Sequence, residues 1–189
     1  MKIAFIIYDD MTTLDFIGVY DPVTRLKTMG FIEDLSYEVC AINPIVRSFE
    51  GLEIKADSTP VDLAGYDYIV VPGGSGIAQL MNNDDYLAWI KSISTNTIVA
   101  ALCGGVLILG AAGMLQSKKA TTHPNHYKFI ENFGAQLSTN RIVEDGRIIT
   151  AGGVTSAIDL GLYLCEKIAG VEVREKIQRQ MDYRNYTTE

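Results

Sequence analysis

The chain predicts an α/β fold, a mainly parallel sheet with helices on both faces. Three observations carry that expectation. Short β-prone apolar runs alternate with helical patterns along the chain, and a strand followed by a helix, repeated, builds a parallel sheet. The central strand runs are continuously apolar, as strands buried on both faces are. The third core run ends abruptly at Pro72-Gly73-Gly74-Ser75-Gly76, and loops at the carboxyl ends of such strands line the binding crevice of an open α/β sheet.

Each element has its own local reason. Residues 2–8 form a buried first strand. A helix over 14–29 places Phe16, Val19, Val23, Leu26 and Met29 at spacings of three and four, and Gly30 stops it. Residues 37–42 form a second strand. Residues 49–56 form a hairpin around the turn pair Glu50-Gly51. Residues 66–71 form the third core strand. A helix over 84–94 opens on Asp84-Asp85, since acidic groups favour a helix N-terminus. The strand over 97–102 places Cys103 at its end, and residues 104–114 continue as a helix. A short strand over 120–122 precedes a helix from Pro124 to Phe133, proline fitting the first turn. Residues 142–150 form a hairpin around Asp145-Gly146, and helices over 156–169 and 171–183 close the chain.

The length of 189 residues suits one domain, residues 1–189, with a substantial core. Five prolines and the lack of polar tracts argue against a linker between two domains. Apolar residues make up 48% and charged residues 21%, too apolar a mixture for a disordered chain. Sixteen Lys and Arg against 23 Asp and Glu give a charge of −7, which argues against a nucleic-acid partner. The apolar stretch over 99–115 is shorter than a membrane span requires, and the N-terminus lacks the long apolar run of a signal peptide. Three cysteines, Cys40, Cys103 and Cys165, are not a disulfide framework and suit a reducing cytoplasm.

The sharpest chemical feature is Ala101-Leu102-Cys103-Gly104-Gly105. A nucleophile between a strand and a helix needs a tight turn, which small neighbours permit. The sulfur would then lie at a helix N-terminus, where the dipole favours the thiolate. The bland alternative is a small buried hydrophobe, which the glycine pair disfavours. Gly73 and Gly74 lie in a loop whose amides converge either on an oxyanion or simply on a turn. The loop lacks both the third glycine of a dinucleotide fingerprint and a Gly-Lys-Ser/Thr. Asp15, between Leu14 and Phe16, is either a helix-start acid or a partly buried carboxyl of raised pKa that exchanges a proton with a thiolate. His123 and His126 are the only histidines. A cysteine–histidine pair would activate the thiol. One His-x-x-His with two remote cysteines is a poor match to metal-ligand patterns, so no metal is expected. Cys40 and Cys165 sit in apolar patterns and read as core.

From Lys2 to Tyr183 the chain resembles the ThiJ/PfpI family of the class I glutamine amidotransferase-like superfamily. The carriers are Asp15, Val71-Pro72-Gly73-Gly74, Ala101-Leu102-Cys103-Gly104-Gly105, Ala120-Thr121-Thr122-His123 and the run from Gly152 to Leu160. The stretches from Leu107 to Leu115 and from Gly152 to Leu160 are most similar to the isonitrile hydratase branch, which itself resembles the ligand domains of some transcription regulators. The resemblance implies a flavodoxin-like three-layer sandwich, usually a homodimer, with no cofactor. It implies Cys103 as nucleophile on a strained elbow, Asp15 as its carboxyl partner, oxyanion amides near Gly74 and Gly104, and His123 at the family's histidine position. A histidine follows the cysteine in the protease-like branch and a threonine usually does in the isonitrile hydratase branch. Here Gly104 supplies neither, which points away from peptidase chemistry and removes the hydroxyl that assists at this position in the isonitrile hydratase branch.

The expected function is therefore cysteine-dependent chemistry on a small electrophile, with isonitrile hydration to an N-substituted formamide or a related amidase reaction in view. The alternatives are a redox or stress sensor through oxidation of Cys103 and a glyoxalase- or deglycase-like activity. A regulator's ligand domain ranks below these, because Glu189 leaves no room for a DNA-binding helix pair.

Overall fold

The computed structural model describes residues 1–184. Strand β1 (Lys2–Ile6) leads into helix α1 (Thr13–Thr28), strand β2 (Ser36–Cys40) and a hairpin of β3 (Ile45–Arg47) and β4 (Glu53–Lys55). A 3-10 turn precedes β5 (Tyr68–Val71), followed by α2 (Ile77–Leu80), α3 (Asp84–Lys91), β6 (Ile98–Leu102) and α4 (Gly105–Ala111). Then come β7 (Lys119–Ala120), α5 (Tyr127–Ile130), β8 (Gln136–Leu137), β9 (Ile142–Asp145) and β10 (Ile148–Ala151), with α6 (Ser156–Ala169) and α7 (Val171–Gln180) last.

The central sheet has six strands in the order β2-β1-β5-β6-β10-β9. All its pairs are parallel except β10 with the edge strand β9. Ala4, Phe5, Ile6, Ile69, Val71, Val99, Ala101 and Leu102 are buried, which explains why these strands read as unbroken apolar runs. Strand β1 has β2 on one side and β5 on the other, so the chain reverses its direction of travel across the sheet there. Carboxyl ends at such a reversal form a natural crevice. Pro72 follows β5 and Cys103 follows β6 at that end, and Asp15 lies in the first turn of α1.

Helices α1 and α6 pack closely because two glycines let them. A Cβ on Gly18 would lie 2.6 Å from the Ala157 Cβ, and one on Gly161 would lie 2.5 Å from the Pro22 Cγ. Pro22 sits inside α1 and lacks the amide that would close its turn. The thiol of Cys165 donates to the Pro22 carbonyl at 3.3 Å, so Cys165 is packed as core.

Two local expectations shift, and two short elements appear that were not expected. The hairpin runs over 45–55, with its turn at Ser48–Leu52. Its turn residues bond to the start of α1 and the loop before it: the Phe49 amide donates to the Met11 carbonyl at 2.9 Å, and the Thr13 hydroxyl bonds Ser48 Oγ at 2.8 Å. The helix expected over 124–133 is broken into a 3-10 turn, α5 and a second 3-10 turn. It is pinned at Thr122, bonded to Cys103, and at Phe133, which presses on Gly110. The four-residue α2 and the two-residue β8 are too short to show a period in the sequence.

Candidate active site

Cys103 adopts φ 53°, in the left-handed region that non-glycine residues avoid. Such a conformation costs on the order of 1–3 kcal/mol and persists only where its surroundings enforce it. Three hydrogen bonds do so. The Cys103 amide donates to the carbonyls of Ala151 (3.1 Å) and Gly152 (2.8 Å), and its own carbonyl accepts from the Thr122 hydroxyl at 2.6 Å. Glycine is required next to it because the elbow runs against the end of β5. A Cβ on Gly105 would lie 2.6 Å from the Val71 carbonyl oxygen.

Asp15 is fully buried. Its Oδ2 accepts from the Gly73 amide at 3.0 Å. Its Oδ1 has no geometric hydrogen-bond partner among the described residues, and the thiol of Cys103 lies near the carboxyl. Gly73 is the point where these groups meet: a Cβ there would lie 2.5 Å from the Gly104 nitrogen, 2.7 Å from Asp15 Oδ2 and 2.8 Å from the Cys103 Cβ. The Gly73 N–H is committed to Asp15 and is therefore not a free oxyanion donor, a correction to the role expected of it. Gly74 lies at φ 142° with its backbone pressed on Asp10, Met11 and Thr12, so only glycine fits. The loop is held from below by the Tyr8 hydroxyl, which donates to the Pro72 carbonyl at 2.7 Å.

Burial raises Asp15 from 3.8 to about 6, with the Cys103 thiol and the Gly73 amide pulling it back down. Burial, and then the Asp15 carboxylate, push the Cys103 thiol from 9.0 up to about 12, while the amides of Gly104 and Val154 favour the thiolate. Both groups are thus held above their ordinary values, and burial with the neighbouring carboxylate opposes the pull that the N-terminus of the seven-residue α4 would exert on the thiolate.

A pocket of about 390 Å³ opens over the thiol, with Thr12, Gly74, Ile77, His123, His126 and Val154 in its walls. His123 lines it, but its Nδ1 accepts from the Asn125 amide at 3.1 Å and its ring lies against Gly153. No hydrogen bond joins His123 to Cys103 among the described residues. His126 is half-buried. Its Nδ1 is buried and has no partner among the described residues. Its Cε1 lies 3.5 Å from where a Cβ on Gly104 would sit. Burial, and then His123, hold the His126 pKa below its usual value. Among the described residues no group of three or more His, Cys, Asp or Glu could hold a metal ion.

Residues 1–167 match the DJ-1/PfpI family. The chain belongs to that family. The isonitrile hydratase of Pseudomonas putida is 34% identical over 185 residues, 97% of this chain and 78% of that protein. Protein DJ-1alpha of Drosophila melanogaster is 30% identical over 160 residues, 82% of this chain and 70% of that one. Among solved structures, a ThiJ/PfpI family protein from Pseudomonas syringae superposes with a TM-score of 0.88 at 28% identity, covering 100% of this chain and 77% of that one.

In this DJ-1/PfpI chain the structure brings Cys103, Asp15, Gly73 and Gly104 into one cluster, with Gly74 and His123 on the pocket wall. Sequence reasoning did not assign site roles to Thr122, Val154 and His126. Thr122 precedes a histidine already singled out. The glycine pair before Val154 was a signal of close backbone approach. His126 ends the 3-10 turn that His123 caps, and both line the pocket. Among the described residues no helix is long and apolar enough to cross a membrane.

Proposed function

We propose that this protein is a cysteine-dependent enzyme that hydrates a small electrophile, an isonitrile giving an N-substituted formamide. The observation that supports it is the Cys103 thiol on a strained turn beside a buried carboxylate, at the floor of an open pocket. The named reaction of the Pseudomonas putida relative points the same way.

The chemistry pairs the Cys103 thiol with the Asp15 carboxylate. The sulfur adds to the isonitrile carbon while Asp15 takes the S–H proton and passes it to that carbon, giving the thioimidate R–N=CH–S–Cys. Water then adds across C=N, its proton going to nitrogen. Collapse of R–NH–CH(OH)–S–Cys breaks the C–S bond, and the hydroxyl proton returns through Asp15 to sulfur. The products are R–NH–CHO and the free thiol. The Gly104 and Val154 amides stabilise negative charge on sulfur as it attacks and leaves. Asp15, at about 6, sits near the value that suits a group both taking and returning a proton at neutral pH.

The test is formamide production from a panel of alkyl and aryl isonitriles. Activity in the native protein, absent in Cys103→Ala and cut by more than about 100-fold in Asp15→Asn, is the expected result. No formamide from any member of the panel overturns this reading. A redox-sensor reading would use the same sulfur, and mass spectrometry of the Cys103 peptide after graded peroxide separates the two, a selective +32 Da species marking the sensor. A deglycase-like reaction would use the same pair, and a dicarbonyl panel run alongside separates the two.

A second copy of the chain is the partner proposed for the exposed apolar residues Leu14, Ile17 and Phe49, of which Phe49 lines the pocket. Sedimentation as a monomer at micromolar concentration would reject it.

A further inference from the structure

A single peptide unit stands between Tyr8 and Asp15. The Tyr8 hydroxyl donates to the Pro72 carbonyl at 2.7 Å. The N–H of that same Pro72–Gly73 amide donates to Asp15 Oδ2 at 3.0 Å. Both directions are forced, because a carbonyl only accepts and an N–H only donates. The peptide is trans, so its two partners lie on opposite edges of one plane. Among the described residues that N–H is the one backbone donor to the carboxyl. A hydrogen bond to a carbonyl oxygen draws electron density from the amide nitrogen, and the N–H on the far edge becomes a stronger donor.

Tyr8 has little freedom to turn away. It follows β1 and is 5% exposed. Its ring lies against Gly76, where a Cβ would be 3.2 Å from Tyr8 Cδ2, and meets the edge of the Tyr86 ring at 6.4 Å between centroids. Burial, and then Tyr86, hold the Tyr8 hydroxyl well above its ordinary pKa, so it remains a donor wherever Asp15 titrates. The Pro72 oxygen is also where the loop meets the elbow, since a Cβ on Gly105 would lie 2.3 Å from it. The Tyr8 bond therefore fixes the atom on which the elbow packs.

We propose that Tyr8 is a positioning residue for the proton transfer: it aligns and polarises the Pro72–Gly73 peptide, and through that peptide it stabilises the ionised Asp15 carboxylate. This rests on the reading of Asp15 as the proton acceptor and adds the residue that sets when Asp15 is free to accept. The other groups that face Asp15 are the Cys103 thiol and Glu50 of the hairpin turn, whose charge works against ionisation. Neither is a cation, so neutral hydrogen-bond donors are what favour the carboxylate.

Carbon-13 NMR of the Asp15 carboxyl tests this without turnover. Its titration is followed in the native protein and in Tyr8→Phe, which keeps the ring and removes the donor. Loss of the donor should raise the midpoint from about 6 by about 0.3 of a pH unit, as one charge-assisted bond weakens. A midpoint equal to the native one, or lower, overturns the proposal. Tyr86→Phe is the control. It removes a neighbouring buried hydroxyl that has no partner among the described residues, and the midpoint should stay in place. An equal rise in Tyr86→Phe would make the effect one of packing and overturn the proposal as well. Should Tyr8→Phe fold poorly, 3-fluorotyrosine at position 8 keeps the hydroxyl as a stronger donor and should lower the midpoint; a midpoint that stays or rises there overturns the proposal too. The pH profile of isonitrile turnover in Tyr8→Phe should move up with the carboxyl. A carboxyl midpoint that rises while the turnover profile stays put would reject Asp15 as the proton acceptor and keep its coupling to Tyr8. A rise with no turnover in the native protein would reject the reaction alone.

Discussion

Asp15→Asn separates the functional cost of the buried carboxyl from its structural cost. A group raised from 3.8 to about 6 on folding binds its proton more tightly in the native state. The favourable contribution is therefore complete below pH 3.8 and is lost as pH rises through 6. At 1.36 kcal/mol per pH unit of displacement, ionised Asp15 costs the fold about 3 kcal/mol at pH 8. Asparagine keeps an oxygen for the Gly73 amide but turns an NH2 group towards a thiol, a poor acceptor, at a cost of about 1 kcal/mol. The variant should thus be about 2 kcal/mol more stable than the native protein at pH 8 and about 1 kcal/mol less stable at pH 3.5. For a domain of this size the gain at pH 8 is about 4–8 °C in Tm. Urea unfolding of both proteins across pH 3.5–8 measures the difference, and the native titrations of other carboxylates cancel in it. A difference that does not change between those limits would refute the claim that Asp15 is ionised at the expense of the fold.

Turnover should rise with pH through a midpoint near 6, as Asp15 becomes able to accept the thiol proton; a profile flat from pH 5 to 8 would argue against that role. Cys103→Gly removes both the thiol and the left-handed strain, so it should stabilise the fold by about 1 kcal/mol in thermal unfolding, while Cys103→Ala, which keeps the strain, should not. Gly73→Ala places a methyl group against the Gly104 nitrogen and Asp15 Oδ2; it should cost about 1–3 kcal/mol in urea unfolding and most of the turnover. Thr122→Val keeps the shape and loses the bond to the Cys103 carbonyl, for an expected loss of about 1 kcal/mol in the same assay.

The sheet was legible because its strands are buried on both faces. Residues such as Phe5, Ile69 and Val99 have only apolar neighbours to choose, and the sequence shows it directly. The elbow was legible for a related reason, since Gly104 and Gly105 stand where any Cβ meets another element. The protonation state was not. A dipole argument uses only the residues that follow Cys103, whereas its pKa is set by burial and by Asp15, far away in the chain. His126 escaped for a similar reason. Whether a histidine at a helix start turns inwards depends on how the segment is pinned at Thr122 and Phe133, which are tertiary contacts. The hairpin over 45–55 was displaced because its turn hydrogen-bonds to Met11 and Thr13 rather than closing on itself alone.

The three bonds that hold Cys103 come from residues well separated from it in the chain: Ala151 and Gly152 at the end of β10, and Thr122 after β7. The strained turn is therefore a junction of three segments and not a property of one. Its amide should exchange hydrogen with solvent only when β10 separates from β6, so slowly that protection there reports unfolding of the whole sheet. An engineer could replace the segments that carry Phe49 or Phe129 to admit new substrates while the sulfur keeps its orientation.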